Sequence, residues 1–180
     1  MASLSFPSAP SAVRPGADEY LAYYARYIDR VPDGDILAHL EGQIEDVRAR
    51  LGTFSEERAG FRYAPGKWSV REVVGHMIDV ERVMAHRALR FARADVTPLP
   101  GFDENAWIAP AGFDARALAS LLDEAAAVRA ATLALFRNLP EEAWSRGGEA
   151  NGAHVTVRAL AWIIAGHERH HLTLIEERYR

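Results

Sequence analysis

The sequence contains no cysteine. Disulfides, thiolate metal sites and a cysteine nucleophile are therefore excluded, and a reducing, cytoplasmic location is the expectation. Nor is there a basic excess: 21 Lys and Arg stand against 25 Asp and Glu, a formal net charge of −4 with His neutral. Bulk electrostatic binding to nucleic acid is not expected from that balance. Long hydrophobic runs are missing too. Ala159 to Gly166, the longest near the C-terminus, falls far short of the roughly 20 residues that span a bilayer, so no membrane partner is expected. The N-terminal MASLSFPSAPSAVRPG lacks a basic region followed by an apolar core and does not read as a signal peptide. Its Ser, Pro and Ala content reads as a flexible arm over residues 1–17. What remains is 180 residues, 49% hydrophobic and 26% charged, with no internal repeat. Such a chain forms one folded domain, expected over residues 18–180.

Strand periodicity is also absent, and the pattern is helical. Asp18 to Val31 reads as a short helix with a tyrosine stripe, Tyr20, Tyr23, Tyr24 and Tyr27, on its packing face. Asp35 is placed to cap a second helix, in which Ile36, Leu40, Ile44, Val47 and Leu51 recur at helical spacing up to Gly52. After a turn at Pro65-Gly66, Ser69 and Glu72 form a capping box for a long helix reaching about Ala94. The next 18 residues hold three prolines and two glycines, and a connection of that length is usually functional. Asp114 is the expected cap of a helix from Ala115 to about Asn138. Pro140 to His154 reads as a further connection, and Thr156 as the cap of the last helix. The predicted architecture is all-α: a four-helix bundle with an additional N-terminal helix, two of its connections long enough to cross the bundle.

Histidine placement is the most informative feature. In the last helix the apolar positions Val157, Leu160, Ala161 and Ile164 are followed, on the same face, by His167, His171, Leu172 and Ile175. His167 and His171 are one turn apart where core residues are expected. In the capping-box helix His76 interrupts the stripe Val73, Met77, Val80, Met84. Three core-facing imidazoles on two helices can converge on one divalent transition metal, and bundle cores commonly build metal sites this way. Three protein ligands leave a position open for water or substrate, the pattern of a catalytic rather than a structural site. The ion would activate a water or a thiolate. His170 points about 100° off that face and reads as a neighbour of the site or a surface residue. His86 reads as rim or surface, His39 and His154 as surface or loop.

At these residues the chain resembles a known family. APGKWSVREVVGHMIDVER (Ala64 to Arg82) and TVRALAWIIAGHERHHLTLIEERY (Thr156 to Tyr179) are similar to the two signatures of the DinB-like (DinB/YfiT) superfamily of metalloenzymes. RALRFARAD and TPLPGFDENAW between them resemble one of its subgroups, and the resemblance runs over roughly residues 20 to 180. It implies up-down-down-up topology, often a homodimer, and a zinc or nickel ion held by three histidines, here His76, His167 and His171. Characterised members include S-transferases that use bacillithiol, mycothiol or glutathione, and a mycothiol-dependent maleylpyruvate isomerase. The expected function is therefore a metal-dependent enzyme acting on a small molecule, by thiol-dependent S-transfer, with metal-dependent hydrolysis or non-catalytic metal binding as alternatives.

Beyond the metal ligands, Asp79 and Glu81 are the candidate catalytic carboxylates: each could orient an imidazole or act as general base. Glu168 reads as a charge at the bundle end, pairing with Arg169 or another basic side chain. The segment Gly101 to Trp107 is a candidate lid, and Arg87 and Arg90 could attract an anionic substrate such as a thiol bearing carboxylates. Trp68 is expected to fix the start of its helix, and Trp144 and Trp162 to pack in or near the core.

Overall fold

The computed structural model describes Ser11 and residues 13–179. Among these, seven α-helices and one small hairpin follow in order: α1 (Ala25–Ile28), α2 (Ile36–Leu51), α3 (Glu56–Ala59), α4 (Val70–Ala92), α5 (Glu104–Ala111), α6 (Leu118–Arg137), β1 (Gly147–Ala150), β2 (Ala153–Thr156) and α7 (Val157–Arg178). The long helices α2, α4, α6 and α7 form the bundle. Helix α4 packs on α6 and α7, and α2 packs on the same two helices. α2 and α4 thus stand diagonally, as do α6 and α7, so the chain crosses the bundle between α2 and α4 and again between α6 and α7, while the long connection from α4 to α6 joins neighbouring helices. No helix among the described residues is long and apolar enough to cross a membrane.

Local chemistry sets most boundaries. Asp35 caps α2 by accepting from the Leu37 N–H, and Thr156 caps α7 by accepting from Ala159. Ser69 and Glu72 make the reciprocal capping box of α4. Gly66 takes a left-handed φ of 73° in the expected turn. Three expectations need correction. Asp114 does not cap α6; that helix begins after Ala117 without a side-chain cap, because the Asp114 carboxylate is held by Ser69 and Arg62. The first helix is also shorter than residues 18–31, a 3₁₀ turn at Ala22–Tyr24 leading into α1. Upstream, Glu19 is drawn onto the start of α7: its carboxylate accepts from Thr156 Oγ1 (2.7 Å) and Arg158, and its carbonyl from the Thr156 N–H. Finally, the connection 140–154 carries an antiparallel hairpin. Its two-residue turn is Asn151-Gly152, both with positive φ, the pair that favours a tight right-twisted turn. Leu99 joins the hairpin by backbone hydrogen bonds to Glu149 and Asn151. Of the expected N-terminal arm, residues 1–10 and 12 lie outside the described residues. At its inner end Arg14 donates to the Ile28 carbonyl (3.0 Å) and lies over the Trp162 ring.

Two apolar cores fill the bundle, one around Phe91, Phe136, Leu160 and Trp162, the other around Ile78, Leu121, Ile175 and Tyr179. A belt of polar residues separates them: the buried His76 and Glu81 on α4, Arg129 on α6, and His167 and His171 on α7, with the largely covered Glu168 beside them. Arg129 is 2% exposed. It grips Glu81 with two hydrogen bonds of 2.8 Å, reaches Glu168 at 2.8 Å and donates to the Leu40 carbonyl of α2 at 2.9 Å. Glu168 therefore sits inside the bundle and pairs with Arg129, not with Arg169 at the bundle end. The Arg129 charge is held above its ordinary strength: burial opposes it, but Glu168 and Glu81 outweigh burial. Burial pushes the Glu168 carboxyl up to about 7 against the pull of Arg129, and the like charge of Glu81 adds to the rise.

Two predictions follow from this packing. Replacing Arg129 by Met strands two buried carboxylates and should cost about 3–5 kcal/mol of stability in urea unfolding at pH 7.5; an unchanged midpoint would refute the tie. At Gly166 a Cβ would lie 2.1 Å from the Tyr27 carbonyl oxygen, so α1 rests directly on the backbone of α7. Gly166→Ala should lower stability by about 1–3 kcal/mol, measured by thermal melting.

Candidate metal centre

The three core-facing histidines meet. His76 is 7% exposed, His167 6% and His171 8%. The Nε2 atoms of His76 and His171 each lie 3.1 Å from Nε2 of His167, and one ring nitrogen from each residue falls within 4.8 Å of the others. Two nitrogens bound to one ion at about 2.0–2.1 Å lie about 2.9 Å apart at a right angle and about 3.3 Å at the tetrahedral angle. The observed 3.1 Å falls between. Hydrogen bonding alone does not satisfy the cluster. A neutral ring nitrogen is either donor or acceptor, yet Nε2 of His167 faces two others, and Nδ1 of His171 is buried with no partner. Converging lone pairs fit a cation.

Electrostatics favours the ligand form. Burial holds the His76 imidazole down to about 4. Burial, and then the other histidines, holds His167 and His171 well below the usual range. All three are neutral at pH 7, as ligation requires. Helical phase and packing place them. Trp68, whose carbonyl accepts from the Tyr179 hydroxyl at 2.8 Å, sets its ring 4.8 Å from that of His76. Tyr27 sets its ring edge-on to His167 at 5.2 Å, held there by the contact of α1 with Gly166.

The cluster forms part of the wall of a cavity of about 400 Å³. The same face of α4 contributes Val80, Met84 and Arg87, and α7 contributes Ile163 and His170. Tyr23, Tyr24 and Tyr27 line it too, so the tyrosine stripe is a cavity wall as well as a packing face. Phe102 and Glu104 close one side, and Phe102 stacks on Trp107 at 4.7 Å. The candidate lid is thus partly helical, with Asp103 capping α5. His170 lies between Tyr27 and His171 and is held below the usual histidine range, first by burial and then by Arg30 and Arg26. His86 and His154 are exposed, away from the cluster.

Neither candidate carboxylate hydrogen-bonds a histidine of the cluster. Asp79 faces Arg82 at 3.7 Å, its carboxyl raised by burial. Glu81 is held by Arg129, although it shares with His167 and Glu168 a separate narrow space of about 20 Å³, room for one water. Sequence reasoning missed Arg129 and Asn151. A basic residue in α6 carries no helical-period signal of burial, whereas Asn-Gly is a turn signal open to reading.

Acid should unfold the metal-free chain. A histidine with a depressed folded pKa gives stability fully present above about 6.5 and lost as pH falls toward the folded value. For His76 alone, 6.5 to about 4 corresponds to about 3 kcal/mol. Glu168 acts oppositely between about 7 and 4.5. Three histidines outweigh one carboxyl, so the urea midpoint should drop between pH 7.5 and 4.5. A rise would contradict the buried neutral triad.

A profile described as the DinB superfamily matches residues 39–175, a span containing all three histidines. No curated protein matches the chain significantly. Among solved structures, it is similar to YfiT from Bacillus subtilis, a probable metal-dependent hydrolase with an unusual four-helix bundle topology. The two share 18% identity over 92% of this chain and 90% of that one, with a TM-score of 0.67. The shared fold is that bundle, and the protein belongs to the DinB superfamily.

Proposed function

We propose that the protein is a metal-dependent enzyme in which His76, His167 and His171 hold a divalent transition ion, zinc or nickel, and the adjoining cavity receives a small-molecule substrate. The carrying observation is that the three imidazoles converge on the wall of an open cavity of about 400 Å³ rather than in a closed cage. Bound there, the ion supplies Lewis-acid chemistry, lowering the pKa of a water or thiol at its open side.

The chain's own groups favour thiol-dependent S-transfer. Three neutral imidazoles with no carboxylate among them leave a divalent ion its full charge, which favours an anionic partner such as a thiolate. With no cysteine in the chain, that thiol comes from a small molecule. Its sulfur would bond to an electrophilic carbon as the leaving group departs with the bonding pair. Hydrolysis is the second reading, supported by His170: it is neutral, lines the same cavity and can take a proton from a water.

The test is elemental analysis of untagged protein, then turnover of glutathione with an activated aryl halide and of a nitrophenyl ester. Expected are about one zinc or nickel ion per chain and one of the two activities. His167→Ala should lose the metal and at least about 100-fold in kcat/KM. A chain that binds no divalent ion would refute the proposal.

A further inference from the structure

Arg87 stands apart from the protein's other buried arginine. Arg129 is surrounded by carboxylates. Arg87, 3% exposed, has no carboxylate within salt-bridge distance among the described residues. It donates to the Pro100 carbonyl at 2.9 Å, approaches the Met84 sulfur at 3.7 Å and lies 5.8 Å from the centroid of the Phe102 ring, with no further hydrogen bond among the described residues. A buried guanidinium without a counter-ion is costly unless an anion arrives. Arg87 lines the same cavity as the histidines.

Its position has a definite register. Arg87 lies eleven residues after His76, three helical turns along α4, so both occupy one face with Val80 and Met84 between them. Their backbones are about 16 Å apart along the axis. Helical side chains lean toward the N-terminus, and the contact with Met84 shows Arg87 reaching back toward the histidines. The other charged groups lining the cavity are Arg26 and Glu104. Glu104 bears electrostatically on Arg26, which lies over the Tyr23 and Tyr27 rings and donates to the Tyr27 hydroxyl at 2.6 Å. Arg87 is left without a carboxylate partner among the described residues.

We propose that Arg87 binds a carboxylate of the substrate and sets the distance between that carboxylate and the group reacting at the histidines. The substrate class is an organic acid with an apolar or aromatic body. That body would lie along Val80 and Met84, flanked by Tyr24 and Phe102. One guanidinium without a carboxylate partner suits a monoanion; a phosphate dianion would have to draw on Arg26 as well, which already faces Glu104 and the tyrosine rings. The proposal rests on reading the cavity as a substrate site, but not on any reaction there.

Calorimetry on the metal-free protein with 3-phenylpropionate and its neutral amide tests it. The wild type should bind the acid about 10- to 100-fold more tightly than the amide, the worth of a charge-assisted pair. Arg87→Met should bind the two alike, and Arg87→Lys should keep part of the preference. If Arg87→Met does not fold, Arg87→Gln takes its place. The assignment is overturned if the wild type binds neither probe or both equally. It is equally overturned if the preference survives loss of Arg87, disappears only in Arg26→Gln, or is exceeded by a preference for phenyl phosphate. A preserved preference with no turnover in the metal-loaded protein would refute the enzyme reading alone.

Discussion

The structure depends on one buried cation. Arg129 bonds two carboxylates and a backbone carbonyl, and so ties α6 to α4, α7 and α2 at the level where both apolar cores stop. Its partners explain why this matters for the site. Glu168 adjoins His167 in sequence, and Glu81 follows His76 by little more than a turn. Fixing the two acids fixes the rotation of α4 and α7, and that rotation aims the three imidazoles at one another. One guanidinium against two carboxylates also leaves a surplus negative charge, which the raised Glu168 carboxyl can cancel by keeping a proton. The raised Glu168 carboxyl thereby reduces the surplus charge beside the neutral histidines.

Two constraints of shape complete the arrangement. Gly166 removes the side chain that would hold α1 away, so Tyr27 lies against His167. The Tyr179 hydroxyl ties the end of α7 to the backbone just before α4, beside the ring that Trp68 presents to His76. Each end of the histidine cluster is therefore bounded by an aromatic ring whose position is set by backbone contacts rather than by the cluster itself. The three imidazoles are held in place in advance, so an ion bound among them would cost little conformational entropy.

Much of this was legible from residues alone, for physical reasons that can be named. His76, His167 and His171 interrupt helical apolar stripes, and helical phase is rigid enough that such interruptions point inward. Capping at Asp35, Ser69 and Thr156 was readable because each acts on its own next turn. What failed was long-range. Asp114 has the chemistry of a cap, but Ser69 and Arg62, distant in sequence, compete for its carboxylate. The stretch 18–31 has helical character, but Glu19 is recruited by α7. Glu81 looked like a helper of His76; only the register of α6 shows that Arg129 claims it. The hairpin was missed because its strands are too short to show a period, though Asn151-Gly152 marks its turn.

The two buried arginines show how the same residue type can be structural or ligand-directed. Arg129 and Arg87 are comparably hidden, so burial does not distinguish them; their partners do. Where acids surround the guanidinium, the charge is consumed internally and the gain is a fixed helix register. Where a carbonyl, a thioether and an aromatic ring approach but no carboxylate does, the charge is directed into the cavity it lines. The histidines follow the same logic. Buried groups with unmet bonding capacity, gathered on the walls of one open cavity, are most economically explained by what enters it: a cation at the three nitrogens and an anion at Arg87, with the apolar face of α4 running between them.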